Sequence, residues 1–318
     1  MKTGSFILLC IGAGFCAFIL GVIIYTKSGS SYFPEIEWDN SIGILYEDIE
    51  YGVQPLQKYD LIVPRDTTRD GYGMVVYLHA GGFTLGDKME DRSILQYFNS
   101  KGYIAVGVNY TLRTDDNESS VYDMSIEVKE GINAACKKAI ELGYPIDGIA
   151  IGGGSAGASL AMIAAFRDAE SFPAPVAFCL TMVGASTFEQ SAWFPQNADY
   201  NDPETLYTAS VWCSTLSGDD VTPEMIIDGS YRASIDKVSA YTMVTDSTCP
   251  VIGAYGELDK LVPIQTLPYL EDALIKHNIK HDIFRFPNSG HALQHDKKIL
   301  KQFADKLEEY LQTYLPIL

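Results

Sequence analysis

Apolar residues in this chain recur in short, nearly continuous runs that alternate with stretches of helical spacing. Runs such as GMVVYLHAGG, YIAVGVNY, DGIAIGGG and PVAFCLTMVGA lack the in–out alternation of a half-exposed strand. Such runs are typical of strands covered on both faces, as in parallel sheets. The segments between them, including VYDMSIEVKEGINAACKKAIELG and SAGASLAMIAAFRDAE, have helical periodicity. The alternation predicts an α/β fold with a mostly parallel central sheet and helices on both faces.

Two regions depart from this alternation. The segments IGILYEDIEYG and KYDLIVP are predicted to be two antiparallel strands at an edge of the sheet. Residues 186–247 are rich in aromatic residues, Asp, Ser and Thr, and they show no strong period. We expect them to form a cap insertion over one end of the sheet, within a domain that spans residues 41–318.

The first residues of the chain have a different character. From Phe6 to Tyr25 there is no charged residue, and a helix of about 20 apolar residues spans the roughly 30 Å of bilayer hydrocarbon. We predict that residues 1–27 form a single membrane anchor, that residues 28–40 form a linker, and that the rest lies on the extracytoplasmic side. The alternative is a cleaved signal peptide and a secreted protein, although signal peptides have shorter apolar regions of about 7–15 residues.

Composition constrains the class of protein, its partners and the groups that it could bind. Hydrophobic residues make up 47 % of the chain and charged residues 20 %, which suits a globular protein with a large core. The formal net charge of −18 makes nucleic acid an unfavourable partner. The cysteines outside the apolar segment, Cys136, Cys179, Cys213 and Cys249, show no CxxC spacing, so we expect no metal site. Nothing in the sequence implies an organic cofactor. Cys136 and Cys179 are expected to be unpaired core thiols.

A glycine-rich stretch, GGGSAG at residues 152–157, stands between a predicted strand and a predicted helix. Glycine and alanine around Ser155 allow a sharp turn that presents the hydroxyl at a helix N-terminus, where developing negative charge is favoured. A phosphate-binding turn is the alternative, but no P-loop lysine follows and no GxGxxG pattern fits. The pattern therefore favours Ser155 as a nucleophile.

A serine hydroxyl needs a base to activate it, and the base needs an acid to orient it. Of the five histidines, His291 lies in a loop between the last predicted strand and the last predicted helix, where a parallel sheet assembles its site. The segment GELDKLVP after the preceding strand offers Asp259 and Glu257. We choose Asp259, which lies further past the strand and precedes a Val-Pro turn, and we keep Glu257 as the alternative.

Charge that develops on a carbonyl oxygen also needs hydrogen-bond donors. The segment HAGGF follows an early strand, and Gly81 and Gly82 can turn their N–H groups toward such an oxygen because no Cβ blocks the approach. Ala156, directly after the serine, is expected to supply another N–H group. Phe83 and Trp193 are candidates for contact with a substrate, although either could belong to the core of the insertion.

With these residues assembled, the chain resembles the hormone-sensitive-lipase-like group of α/β-hydrolases, which includes bacterial acetyl esterases. The segments HAGGF, GGSAG, GELDKLVP and SGHAL resemble, in order, the oxyanion motif, the serine elbow, the acid loop and the histidine loop of that family. The resemblance covers about residues 70–315. It implies an α/β-hydrolase fold and a serine carboxylesterase that cleaves small-acyl esters through an acyl-enzyme.

The resemblance has departures and leaves alternatives open. Ala80 replaces the first glycine of the oxyanion motif, Asn109 stands where the family has Asp, and Thr111 stands where it has Arg. A serine peptidase on the same fold and a non-catalytic binding or adhesion protein are the two alternatives. The expected partners are a small-molecule ester and, through the N-terminal segment, a membrane. The oligomeric state is not predicted.

Overall fold

The computed structural model describes residues 33–34, 36–195 and 197–317, and a mixed β-sheet forms its centre. The strands are β1 (Gly43–Glu50), β2 (Lys58–Pro64), β3 (Tyr72–Leu78), β4 (Ile104–Val108), β5 (Ile146–Gly154), β6 (Val176–Met182), β7 (Val251–Gly256) and β8 (His281–Phe286). Their order is β1-β2-β4-β3-β5-β6-β7-β8. β1 pairs with β2, and β2 with β4, in antiparallel fashion. All remaining neighbours are parallel, which confirms the predicted fold.

Helices follow most of the strands. The α-helices are α1 (Arg92–Ser100), α2 (Val121–Glu141), α3 (Ala156–Arg167), α4 (Gln190–Trp193), α5 (Pro203–Ser217), α6 (Pro223–Asp228), α7 (Arg232–Asp236), α8 (Leu267–Lys276) and α9 (Lys297–Tyr314). Short 3₁₀ helices occupy Lys88–Asp91, Ala169–Ser171, Ala240–Met243 and Ile264–Thr266. Local sequence sets the ends: Ser120 and Asp123 form a capping box that begins α2, and Gly143, at φ 92°, follows its end.

The sheet buries side chains on both faces. Along β3, Met74, Val76 and Leu78 belong to the core shared with α2 and α3. The intervening Val75 and Tyr77 belong to the core shared with α1 and α9. This alternation explains why the strand sequences read as continuous apolar runs.

Residues 186–247 contain α4 to α7 and the 3₁₀ helix Ala240–Met243. This segment, called the insertion below, packs against α2, against α3 and against the 3₁₀ helix Ile264–Thr266. The insertion begins just after β6, and its Tyr241 N–H donates to the Ser186 carbonyl oxygen at 3.1 Å, so this part of it lies near the carboxyl end of β6.

The four cysteines within the described ranges, Cys136, Cys179, Cys213 and Cys249, are buried and unpaired. Burial raises the pKa of the Cys136 thiol to about 12 and that of Cys213 to about 11. The expectation of unpaired core thiols at Cys136 and Cys179 is confirmed.

In the part of the chain that the structure describes, no helix combines the length and apolar character needed to cross a bilayer. The predicted anchor at residues 1–27, and the start of the predicted linker, lie outside the described residues.

Candidate active site

Ser155 occupies the sharp turn between β5 and α3. Its backbone has φ 53° and ψ −118°, a sparsely populated combination for a residue with a side chain. The Ser155 N–H donates to the carbonyl oxygen of Met182 at 2.8 Å, so the neighbouring strand β6 holds the turn in place. Only 8 % of the residue is exposed. The turn therefore presents the hydroxyl in a defined direction at the N-terminus of α3.

Two glycines are needed at this turn because other backbone passes close to them. A Cβ at Gly157 would lie 2.1 Å from the carbonyl oxygen of Leu78, and a Cβ at Gly153 would lie 2.5 Å from the carbonyl carbon of Gly157. Neither neighbour is a movable side chain. The Gly-x-Ser-x-Gly pattern is thus a consequence of how tightly α3 packs against β5 and the end of β3.

His291 lies in the loop between β8 and α9 and contacts Ser155. Its Nε2 is 2.9 Å from Ser155 Oγ, and its Nδ1 is 2.7 Å from Asp259 Oδ2. The carboxylate can only accept, so the proton belongs on Nδ1 and the lone pair of Nε2 faces the serine hydroxyl. The structure brings Ser155, His291 and Asp259 into one hydrogen-bonded chain.

Backbone donors orient the acid. Asp259 Oδ1 accepts from the N–H groups of Leu261 and Val262 at 2.8 and 3.1 Å, and the side chain is 4 % exposed. Glu257, the alternative, instead pairs with Arg285 at 3.2 Å. Of the two acids in GELDKLVP, Asp259 is therefore the one that lies beside the histidine.

The histidine loop is held by residues that sequence reasoning missed. Asp296 Oδ2 accepts from the Asn288 N–H at 3.0 Å and from the Ser289 hydroxyl at 2.7 Å. Ser289 Oγ in turn accepts from the His295 N–H at 3.0 Å. The available signal was the position of Asp296 just before α9, which only indicated a helix start.

Gly81 and Gly82 lie in the loop that follows β3, with φ values of 133° and 59°. The loop folds on itself, because the Gly81 carbonyl oxygen accepts from the N–H groups of Thr84 and Leu85. Within the described ranges, the N–H groups of Gly81 and Gly82 donate to no protein acceptor. Ala156 is the first residue of α3, and the first N–H groups of a helix have no intrahelical acceptor. The serine turn and the glycine loop are in contact, as the close approach of Gly157 to Leu78 and His79 shows.

His79, at the start of the glycine loop, is a buried structural residue. Its ring stacks on Tyr110 at 4.4 Å, and Nδ1 lies 2.7 Å from the Ala80 carbonyl oxygen, which requires a proton on Nδ1. Burial lowers the pKa of His79 below its usual value, so the ring is neutral at physiological pH.

Phe83 and Trp193, the two predicted substrate contacts, belong to one aromatic cluster. Phe188 joins them, with its ring 6.0 Å from Phe83 and stacked at 5.8 Å on Trp193. The Trp193 indole N–H donates to the Thr187 carbonyl oxygen at 2.8 Å. The cluster connects the glycine loop to the insertion.

Comparison with known proteins assigns the chain to a family. A sequence model of the BD-FAE family matches residues 59–274, and one of the dienelactone hydrolase family matches residues 236–315. A protein of Escherichia coli O157:H7, provisionally named carboxymethylenebutenolidase, is 30 % identical over 93 residues, 29 % of each chain. That match therefore spans less than a third of the relative's length.

Solved structures share the fold over most of their length. Esterase B from Lactobacillus rhamnosis has a TM-score of 0.68 at 17 % identity and covers 95 % of both chains. A propionate-bound esterase from Thermogutta terrifontis has a TM-score of 0.65 at 18 % identity, over 85 % of this chain and 95 % of the other. A carbohydrate esterase from gut microbiota has a TM-score of 0.64 at 13 % identity, over 86 % and 98 %.

These likenesses confirm the predicted resemblance to α/β-hydrolase esterases at the level of the fold. The BD-FAE match extends from β2 to α8 and includes the glycine loop, the serine turn and the acid loop. It covers more than half of the chain, and the chain belongs to the BD-FAE family.

Proposed function

We propose that this protein is a serine carboxylesterase. The observation that carries the proposal is the hydrogen-bonded chain from Asp259 through His291 to Ser155, at 2.7 and 2.9 Å. Family membership and the esterase neighbours support it. Among those neighbours are esterase B inhibited by a tributyrin phosphonate and the Thermogutta esterase phosphonylated by cyclosarin.

In the proposed first half-reaction, Ser155 Oγ attacks the ester carbonyl carbon while His291 Nε2 takes the hydroxyl proton. Asp259 keeps the imidazole oriented and stabilises its positive form. The N–H groups of Gly81, Gly82 and Ala156 donate to the oxyanion. The carbon–oxygen bond to the alcohol then breaks, and His291 gives its proton to the leaving oxygen.

The second half-reaction regenerates the enzyme. Water attacks the acyl-serine as His291 Nε2 takes a proton from it, and the same N–H groups receive the charge. When the bond to Ser155 Oγ breaks, the proton returns to the serine and the carboxylic acid leaves. In the described ranges no cluster of three or more metal-ligating side chains occurs, and the steps above involve only this chain's residues, the ester and water.

The acyl group is proposed to be small. The glycine loop is bordered by Phe83, which packs edge-on against the buried Phe188, so the aromatic cluster fills space beside the expected oxyanion site. The resemblance to acetyl esterases and the propionate-bound neighbour agree with this size.

Hydrolysis of nitrophenyl esters from acetyl to dodecanoyl tests the proposal. We expect activity that is highest on the short chains and a fall in kcat of roughly 10⁴–10⁶-fold in Ser155→Ala. The matched control is Ser171→Ala, at an exposed serine in the 3₁₀ helix that precedes the amino end of β6. A Ser155→Ala variant that keeps the activity of the wild-type protein would contradict the assignment of the nucleophile.

A separate proposal concerns location. We propose that the apolar segment from Phe6 to Tyr25 holds the enzyme on the extracytoplasmic face of a membrane. Membrane fractionation together with mass determination of the mature N-terminus tests this. A protein in the medium that lacks its first residues would show a cleaved signal peptide instead.

A further inference from the structure

The loop that carries Gly81 and Gly82 has an unusual backbone. Gly81, Gly82, Phe83 and Gly86 all have φ between 59° and 133°. Its internal hydrogen bonds, from Thr84 and Leu85 to the Gly81 carbonyl oxygen, close the loop but do not set its direction relative to Ser155. That direction depends on contacts with the rest of the protein.

The residues just after β4 supply those contacts. Tyr110 stacks on His79 and donates its hydroxyl to the His79 carbonyl oxygen at 3.0 Å. The Arg113 N–H donates to the Phe83 carbonyl oxygen at 2.9 Å. These two contacts hold the beginning and the middle of the loop.

Asn109 holds the end of the loop. It is 4 % exposed, its Nδ2 donates to Asp87 Oδ2 at 2.7 Å, and its Oδ1 accepts from the Lys88 N–H at 2.7 Å. The other oxygen of Asp87 accepts from the Met89 N–H at 2.8 Å. An amide supplies both the donor and the acceptor that position 109 uses, whereas an ionised carboxylate has no donor.

A carboxylate at position 109, the residue of the family that the sequence resembles, would not fit here. It would face the Asp87 carboxylate without a donor between them, and like charges at this distance repel strongly. The Lys88 ammonium, which interacts with the Asp87 charge, offsets this repulsion only in part, because its Nζ is paired with Asp48 and Asp60 at 2.7 and 3.1 Å.

We propose that Asp87 and Asn109 form a positioning pair that fixes the loop carrying Gly81 and Gly82, and that Asn109 is an amide because Asp87 opposes it. The purpose of the fixed loop, donation to the oxyanion, rests on the proposed esterase function. The proposal that Asp87 and Asn109 fix the loop does not depend on the esterase function.

An exchange of the two side chains tests the pair. In the double variant Asp87→Asn with Asn109→Asp, the new amide accepts from Met89 and donates to the new carboxylate, which accepts from Lys88. Every hydrogen bond of the pair is kept and the net charge is unchanged. Asn109→Asp alone loses the donor and places two carboxylates together. We expect it to lower kcat on nitrophenyl acetate by about 100-fold, with a smaller change in KM, and we expect the exchange to recover most of the loss.

Asn99→Asp is the matched control. Asn99 is also buried and also both accepts, from the Trp38 indole, and donates, to the Tyr103 carbonyl oxygen, but it lies at the end of α1. It should lose stability without a comparable loss of kcat. Amide hydrogen exchange of residues 79–87 gives a second readout that needs no activity. We expect faster exchange in Asn109→Asp and wild-type exchange in the double variant.

The outcomes separate the two proposals. An Asn109→Asp variant with unchanged exchange in residues 79–87, or a folded double variant as defective as that single variant, overturns the positioning pair. Wild-type protein that hydrolyses no ester, while exchange follows the expected pattern, overturns the esterase function and leaves the pair standing as a loop anchor.

Discussion

The carboxyl edge of the sheet and the insertion at residues 186–247 are each stabilised by a different kind of contact. At the sheet edge, single atoms decide the geometry: Asp259 Oδ2 lies 2.7 Å from His291 Nδ1, and one added carbon at Gly157 would meet a carbonyl oxygen at 2.1 Å. In the insertion, Phe188 is buried among the rings of Phe83, Trp193 and Trp212.

A substitution is therefore expected to lower a different quantity in each region, the rate in one and the free energy of unfolding in the other. At the sheet edge we expect a change to a side chain of the proposed triad to lower the rate while leaving most packing intact. In the insertion a change removes packing area that several rings share, which lowers the free energy of unfolding. The glycine loop touches both regions, since Phe83 packs on Phe188 while His79, at its start, lies against Gly157 of the serine turn.

Asp259→Asn should give the largest effect and sharpens this contrast. The amide cannot stabilise a positive imidazole and it favours the wrong tautomer, so we expect kcat to fall by about 10⁴-fold with little change in unfolding. Glu257→Gln is the control, because Glu257 pairs with Arg285 instead. Kinetics on nitrophenyl acetate check both. Loss of activity in Glu257→Gln alone would show that the acid has been misassigned.

Phe188→Ala tests the insertion side of the comparison. Removal of a fully buried ring should lower the free energy of unfolding by roughly 3–5 kcal/mol, with a much smaller effect on kcat in the fraction that remains folded. Urea denaturation together with the rate at low temperature measures the two effects. A loss of kcat as large as that in Asp259→Asn, without a loss of stability, would break the contrast.

Asp91→Asn should give the smallest effect and depends on pH. Asp91 ends the 3₁₀ helix after the glycine loop, and its Oδ2 is buried without a hydrogen-bond partner within the described ranges. Burial raises its pKa from 3.8 to about 7. The folded state therefore keeps a proton that the unfolded state loses, and stability falls as pH rises from about 4 to above 7.

Asp91→Asn removes the titrating carboxyl group and therefore avoids this loss of stability at high pH. We expect it to be more stable than wild type by roughly 2 kcal/mol at pH 8 and nearly equal to it at pH 4. Urea midpoints at the two pH values measure this, with Asp116→Asn on an exposed loop as the control. A variant that is less stable at pH 8 than at pH 4, relative to wild type, would reverse the sign and refute the burial argument.

Much of the site could be predicted because its chemistry is local in sequence. The turn at Ser155 needs glycines two residues before and after it, so the pattern is visible in a short stretch. The positions of His291 and Asp259 follow from the topology, since loops at the carboxyl ends of parallel strands meet at one edge. The assignment of their catalytic roles stays a proposal.

Contacts between distant segments could not be predicted. Asn109 was noted only as a departure from the family pattern, and its partner Asp87 lies on another loop. Spacing does not indicate that Asp87 and Asn109 are partners, because side-chain hydrogen bonds across a fold leave no period in the sequence.

The sequence by itself determined the α/β order of strands and helices and the tight serine turn, because these depend on periodicity and on local backbone requirements. It also supplied Ser155, His291 and Asp259 as the candidates for the catalytic roles proposed above. Only the tertiary structure decided that Asp259 rather than Glu257 lies beside His291, that Phe83 and Trp193 share one aromatic cluster, and that an amide at position 109 opposes Asp87. Those outcomes depend on distances between segments far apart in the chain, which packing sets and local pattern does not.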